Sequence, residues 1–412
     1  MLVNRLCLNA YMLPPITKIQ RTFTKLYIVY VTYKNMNISH WEYDSYFNSV
    51  DLAIIGSGIV GLTAALAVKR SVPSLKVLVI EKGPVLMGAS LRNAGFACFG
   101  SPTELLDDLK KRSFDEVFSL VERRWKGLLA LRNLIGDEVM EYEPLGGYEV
   151  YDDKTTFEES RESIAKFNKE VAGITGEKET YVVCDEKIET FGFKGFSHMI
   201  KNCCEGQLNT GKMMRALISK AAEAGVIFVN GTELIEYKEE EGGVMLNTSW
   251  QNFKVKHVLF TTNAYTSQLV KELDIKPARA QVLITTPIKG LKARGAFHYD
   301  KGYYYFRNVG QRLLLGGGRN LDFEGETTTE FGLTDGIQKA LEKLLAEKII
   351  PGHSYEIERR WSGIMGLGDG DKSPIIKSIS SHVHCAVRLG GMGVAIGTLV
   401  GQEAAGLVIS KM

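Results

Sequence analysis

The chain has 412 residues, of which 45% are hydrophobic and 24% charged, with 50 Lys and Arg against 48 Asp and Glu. A net charge of +2 excludes a basic field of the kind that binds nucleic acid or a membrane surface. The length allows roughly two or three structural units and a large core.

Residues 1–41 contain no Asp or Glu but carry Arg5, Lys18, Arg21, Lys25 and Lys34. No apolar run here is long enough to span a bilayer. Residues 1–47 are therefore set outside the fold, as a disordered extension or an early start, with Met36 a sensible true start. The location expected is cytoplasmic, and the acid-poor beginning leaves organellar targeting open.

The fold begins with an apolar run at 50–55, read as a buried parallel strand. Gly56-Ser57-Gly58-Ile59-Val60-Gly61 follows at once, then a segment of strong helical preference from Leu62. A second apolar strand at 76–80 ends at Glu81, with Lys82 next. Each part has a physical task. Gly56 permits the tight turn, Gly58 lets a pyrophosphate approach the backbone, and Gly61 lets helix pack on strand. The helix N-terminus presents free N–H groups and a positive dipole end to phosphate. Glu81 is placed to accept hydrogen bonds from ribose hydroxyls, and it disfavours a 2′-phosphate. The combination specifies a dinucleotide bearing ADP, and by itself does not separate FAD from NAD.

Downstream, 104–135 reads as one amphipathic helix with Phe118, Val121, Trp125, Leu128 and Leu129 on one face. Strands are expected at 148–151, 180–183, 225–229 and 255–262, with a helix at 212–224. Further strands are expected at 281–286, 302–306 and 312–315, and a helix at 334–348 closed by Pro351 and Gly352. On a strand, Tyr303, Tyr305 and Arg307 share one face while Tyr304 and Phe306 take the other. His298 is read as an exposed loop residue. The six cysteines are Cys7, Cys98, Cys184, Cys203, Cys204 and Cys385. They form no CxxC pair, and no histidine lies at zinc-finger spacing, so no metal site is expected. Cys203 and Cys204 read as two small buried side chains.

Three segments carry a family resemblance: Gly88-Ala89-Ser90-Leu91-Arg92-Asn93-Ala94-Gly95, Thr261-Thr262-Asn263-Ala264-Tyr265, and Gly390-Gly391-Met392-Gly393-Val394-Ala395-Ile396-Gly397. In this order they resemble the FAD-dependent family of D-amino-acid oxidase, glycine oxidase and sarcosine oxidase. The form of the first segment is most similar to the branch that includes gamma-glutamylputrescine oxidase. The resemblance implies an α/β fold, with a Rossmann-type FAD-binding domain and an inserted α+β substrate domain on a mixed, largely antiparallel sheet. The FAD-binding domain is expected from 48–102, 200–275 and 355–412, and the substrate domain from 103–199 and 276–354.

The resemblance further implies non-covalent FAD held by Gly56, Gly58, Ile59, Val60, Gly61, Glu81, Lys82, Ala89, Ser90, Arg92, Asn93, Ala94 and Gly95. To these it adds Leu234 at the adenine, Thr262, Asn263 and Ala264, Gly363, and Gly391, Met392, Gly393 and Val394 beside the flavin ring. A helix starting at Val394 would direct its positive end at the pyrimidine ring, where reduced flavin carries negative charge.

Tyr305, Arg307 and Met365 are the substrate-side candidates. Trp361-Ser362-Gly363-Ile364-Met365 resembles the family's WxG element, after which amino-acid-oxidising members carry a carboxylate-binding Arg; this chain has Met365 there. The strand position where some relatives place an oxygen-activating Lys matches Leu314, which leaves oxidase and dehydrogenase both open. Cys385 lies before the last glycine turn, away from the place where covalently flavinylated relatives carry a Cys.

The function expected is oxidation of a C–N bond of an amine or amino acid, giving an imine and, with O₂ as acceptor, hydrogen peroxide. An electron carrier is the other acceptor. Alternative readings are an FAD-dependent dehydrogenase of a 2-hydroxy acid or polyol phosphate, an NAD-dependent dehydrogenase, and a non-catalytic flavoprotein.

Overall fold

The structure, a computed structural model, describes residues 37–370 and 372–412. The basic segment and Met36 lie outside them.

Strand Val50–Ile55 forms the middle of a parallel sheet because its side chains are apolar on both faces, as a doubly covered strand requires. It pairs with Val77–Glu81 on one side and Asn252–Phe260 on the other, with Leu52 beside Val77 and His257. Ile227–Asn230 extends the sheet beyond the second strand, and Val383–Val387 extends it beyond Asn252–Phe260. Strand order therefore reverses at Val50–Ile55, the topological switch at which such sheets bind ligands beyond their carboxyl ends.

Helices Ile59–Ser71, Phe114–Ile135 and Gly393–Ile409 cover one face. They approach closely because glycines stand at the contacts. A Cβ on Gly401 would lie 2.0 Å from Thr63 Oγ1, and one on Gly127 would lie 2.3 Å from the Ala395 carbonyl.

A second eight-stranded sheet runs in the order Ile357–Leu367, Lys276–Thr285, Arg312–Gly317, Tyr304–Val309, Ala296–Tyr299, Gly147–Tyr151, His198–Asn202, Tyr181–Val183. Every pairing is antiparallel except that of Ala296–Tyr299 with Gly147–Tyr151. This is the mixed, largely antiparallel sheet expected of the substrate domain. One face packs Phe193, Phe297, Phe306 and Leu341 into a separate core, and the other faces the cofactor sheet's carboxyl edge.

The structure differs from the sequence reading in four places. Residues 40–47, set outside the fold above, form two short helical turns. Phe47 is 2% exposed and its ring lies 4.8 Å from that of Phe253, so burial of this aromatic fastens the segment to the sheet. The expected helix 104–135 is two helices, Pro102–Leu109 and Phe114–Ile135. Ser113 restarts the second through a capping box with Glu116. Cys203 is exposed, because it follows the end of strand His198–Asn202 rather than lying within it. His298 is no loop residue but lies on strand Ala296–Tyr299. Among the described residues no helix is long and apolar enough to cross a membrane.

Candidate active site

A cavity of about 1120 Å³ lies between the two sheets. It exceeds the ~300–1,000 Å³ of ordinary small-molecule sites, so there is room for a dinucleotide and a substrate together. At one end it is walled by Gly56, Gly58, Ile59, Val60, Glu81 and Lys82, with Leu234 nearby. The helix Ile59–Ser71 opens here on Gly58, which has no side chain to cap it. The Ile59 N–H donates to Ser90 Oγ at 3.0 Å, so Ser90 joins the second glycine loop to this helix end.

Gly56 sits at φ +103°, open to glycine and strained for other residues. A Cβ on Gly61 would lie 2.1 Å from the Gly56 carbonyl oxygen. Gly61 is outside the cavity wall; it lets the helix approach the strand, as its position in the motif requires. Glu81 accepts from Ser57 Oγ at 2.7 Å and from the Gly83 N–H at 3.0 Å, which fixes its carboxylate at the strand end. Lys82 pairs with Glu233 at the surface.

The middle of the cavity is walled by Ala89, Ser90, Arg92, Asn93 and Ala94 from one side and by Thr262, Asn263 and Gly363 from the other. Asn93 Oδ1 accepts from the Gly95 N–H at 2.8 Å and from Thr210 Oγ1 at 3.0 Å, shaping the loop from within. Asn263, at φ +48°, accepts from the Arg388 N–H at 2.9 Å. It thereby ties the Thr-Asn-Ala turn to the approach of the last glycine turn. Gly95 and Ala264 lie behind this wall and do not reach the cavity.

Gly391, Met392, Gly393 and Val394 close the far end, where helix Gly393–Ile409 starts with no side-chain cap. Two helix N-termini whose own cap residues supply no side-chain hydrogen bond thus face the same cavity, the first with its Ile59 N–H taken by Ser90 Oγ, and each turns its positive dipole end toward the cavity.

Beyond the last glycine turn the wall changes character. Tyr305, Phe96, His298, Cys98 and Met365 line it. The Tyr305 ring lies over Gly316, its cross-strand partner, where a Cβ would come within 2.5 Å of the ring. Phe96 meets both Tyr305 and His298 edge-on, with ring centroids 5.7 and 5.1 Å apart. Burial pushes the Tyr305 phenol up to about 12 and lowers the His298 imidazole to about 4, so both stay neutral near pH 7. Next to them lies Glu104. Burial alone would raise its pKa, but Arg124 at 3.1 Å and Lys372 at 3.3 Å outweigh that and hold it at about 2.

Arg307, expected at the substrate, is not in the cavity wall. It shares the Tyr305 face as alternation requires, but one step further along the strand runs beneath the glycine loop. There its guanidinium donates to the carbonyls of Ala94 and Leu208 and is 7% exposed. Leu314 is likewise buried, packed with Ala94 and Val282.

Sequence reasoning missed Ser57, Phe96, Cys98, Glu104 and Arg319, and misread His298. Arg319, in the short turn Arg319–Leu321, lines the cavity beside Lys301 and Tyr303. Its guanidinium lies 4.8 Å from the centre of the Phe323 ring and pairs with no carboxylate among the described residues. The loop that follows is pinned over the cavity by Glu326, which is fully buried and bound through two oxygens to Arg279.

A glycine-rich cradle that added side chains would fill, a carboxylate at the second strand end and two helix N-termini together fit FAD. The family model described as FAD dependent oxidoreductase matches residues 51–407. The chain belongs to that family, and is an FAD-dependent oxidoreductase of the amino-acid oxidase type.

Among its relatives, the "Probable oxidoreductase OrdL" of Rhizobium meliloti is 23% identical over 377 residues, covering 88% of this chain and 83% of the relative. The glycine oxidase of Geobacillus kaustophilus is 23% identical over 294 residues, covering 65% of this chain and 69% of the relative. The crystal structure of glycine oxidase from Bacillus cereus superposes with a TM-score of 0.70 at 16% identity, covering 88% of this chain and 96% of that one. L-proline dehydrogenase from P. horikoshii gives 0.68 at 19% identity, covering 88% and 94%.

Proposed function

We propose that this protein oxidises a C–N bond of an amine whose anionic group is separated by several bonds from the reacting carbon. This would place it nearer the gamma-glutamylputrescine oxidase-like branch than the oxidases of small amino acids. The observation that carries the reading is the pairing of a neutral, aromatic box with a free arginine at its mouth. Phe96, Tyr305, His298 and Met365 enclose the reacting end, and the cations Arg124 and Lys372 beside it are already paired with Glu104. An α-carboxylate desolvated in that box would lack a partner, at a cost of several kcal/mol. A more distant carboxylate can reach Arg319 and the exposed Lys301 instead.

FAD, when bound non-covalently, supplies the hydride acceptor. The residues of the chain supply position and environment. The aromatic box excludes water and favours the unprotonated amine, the form whose C–H bond is activated for hydride loss. The helix end at Met392–Gly393 favours negative charge as it develops beside it. No residue is required as nucleophile. The segment after Trp361, where covalently flavinylated relatives carry a Cys, holds none before Cys385.

The test is anaerobic mixing of the flavin-loaded protein with matched substrates while flavin absorbance is followed. Amines carrying a distal carboxylate should bleach the flavin faster than glycine or alanine, by about tenfold or more in kcat/KM. Equal or faster reduction by the small amino acids would overturn the reading, as would reduction by 2-hydroxy acids alone. Oxygen uptake measured against dye reduction then assigns the electron acceptor.

A further inference from the structure

We propose that Cys98, Glu205 and His298 form a binding site for one zinc-type transition-metal dication in the wall of the cavity. The three offer a thiol sulfur, a carboxylate oxygen and an imidazole nitrogen that all lie within 4.8 Å of one another. That is an S, O, N set of the kind zinc takes, at bond lengths of about 2.0–2.3 Å with a fourth position open. A modest closing of the three side chains suffices to reach it.

The backbone builds this cluster. Strands Phe96–Ala97 and Gly206–Gln207 pair with Phe96 opposite Gln207 and Ala97 opposite Gly206. Continuing that register sets Cys98 across from Glu205. His298 comes from the substrate sheet, where it pairs with Tyr305. Nearly 200 residues separate His298 from Cys98, so no spacing rule applied to the sequence could reveal the set.

A second observation points to a ligand. His298 Nε2 is buried and has no hydrogen-bond partner in the protein. Glu205 is 2% exposed; its Oε1 accepts from the N–H groups of Phe99 at 2.7 Å and Gly100 at 3.1 Å, and the Cys98 thiol hydrogen-bonds to the same carboxylate. No lysine or arginine forms an ion pair with Glu205 among the described residues; the nearby Arg307 is committed to backbone carbonyls. A buried carboxylate without a counter-cation is unfavourable.

A dication bound to one thiolate and one carboxylate leaves the cluster neutral. Binding expels the Cys98 proton, and the Glu205 proton where present, to solvent. His298 offers a ring-nitrogen lone pair at Nε2. Cys98 and His298 both line the cavity, so the ion enters from there.

The experiment uses flavin-loaded protein freed of metal by a chelator. Zn²⁺ is titrated in competition with a chromophoric chelator, and alkylation of Cys98 by a thiol reagent is followed with and without Zn²⁺. The expected result is one Zn²⁺ per chain at micromolar affinity or tighter, released protons, and protection of Cys98. Cys98→Ser and His298→Gln should each weaken binding by about a hundredfold or more. Co²⁺ should give a thiolate charge-transfer band in the wild-type difference spectrum that is absent from Cys98→Ser. Absence of stoichiometric binding, or wild-type affinity retained in both variants, overturns the proposal. Should Cys98→Ser fail to fold, His298→Gln decides alone, since that side chain stands in the cavity wall. None of these readouts involves substrate, so they stand or fall apart from the amine reading.

Discussion

The two ends of the cavity recognise their contents by different means. At the end walled by Gly56 and Gly58 the surface is bare main chain, with Gly58 leading straight into a helix. At the substrate end it is formed by side chains, and several titratable groups there are moved from their ordinary range. His298 falls to about 4, Tyr305 rises to about 12, and Glu104 is held at about 2. Main-chain recognition depends on the absence of atoms and is broken by adding one. Side-chain recognition depends on particular charges and shapes, and can be retuned one residue at a time. This fits an arrangement in which relatives share a cofactor and differ in what they oxidise.

The sharpest way to break the comparison is at Gly58. A Cβ there would lie 2.9 Å from Ser90 Oγ, and Gly58→Glu adds an anion against the pyrophosphate. The variant should purify with flavin occupancy lowered by about tenfold or more, read from the flavin-to-protein absorbance ratio. Full occupancy would show that the cofactor does not lie on this turn.

Glu104→Gln comes next in size. Removing Glu104 leaves the buried Arg124 without its carboxylate, while Lys372 keeps Asp108 at 2.6 Å, so about 3 kcal/mol should be lost at pH 7. The folded pKa is depressed, so the wild-type advantage is present above pH 4.5 and is lost as pH falls toward 2. Thermal melts of both proteins across that window should converge at the acid end.

Arg319→Ala should lower kcat/KM for a distal-carboxylate amine by roughly 10–100-fold, the worth of one charged hydrogen bond. The matched neutral amine should be unaffected. Equal losses for both substrates would mean that Arg319 supports the loop and does not meet the substrate. The smallest effect is expected for Lys82→Ala. Lys82 pairs with Glu233 where both side chains are well exposed, so denaturant midpoints should shift by less than about 0.5 kcal/mol. A marked fall in flavin retention would give Lys82 a direct part in cofactor binding.

This same contrast explains what the sequence disclosed. The residues 56–61 and 88–95 act through backbone conformation within six to eight consecutive positions, so their task can be read locally. The parity of strand Tyr304–Val309 was also legible, because alternation places Tyr305 and Arg307 on one face. How far the cavity extends along that face was not. Arg307 passes beyond it, and only the tertiary position of Ala94 and Leu208 shows what its guanidinium meets. His298 was within reach of the sequence, since a turn through Asp300–Gly302 puts it opposite Tyr305. Asp300 and Lys301 adopt left-handed conformations there, without the asparagine–glycine signature that marks a tight hairpin. Cys98 and Glu104 gave no local signal, because each gains its meaning from partners more than a dozen residues away.

The two helix starts that face the cavity, at Gly58 and Met392, are more than 300 residues apart in the chain, yet their helices pack through Gly401 against Thr63. During synthesis the first half of the cradle therefore emerges long before the second exists. A nascent chain carrying residues 50–260 holds a glycine turn and an acidic strand end but no flavin-ring pocket. Such high contact order slows folding. Coenzyme loading that uses both helix ends must then await synthesis of the last helix.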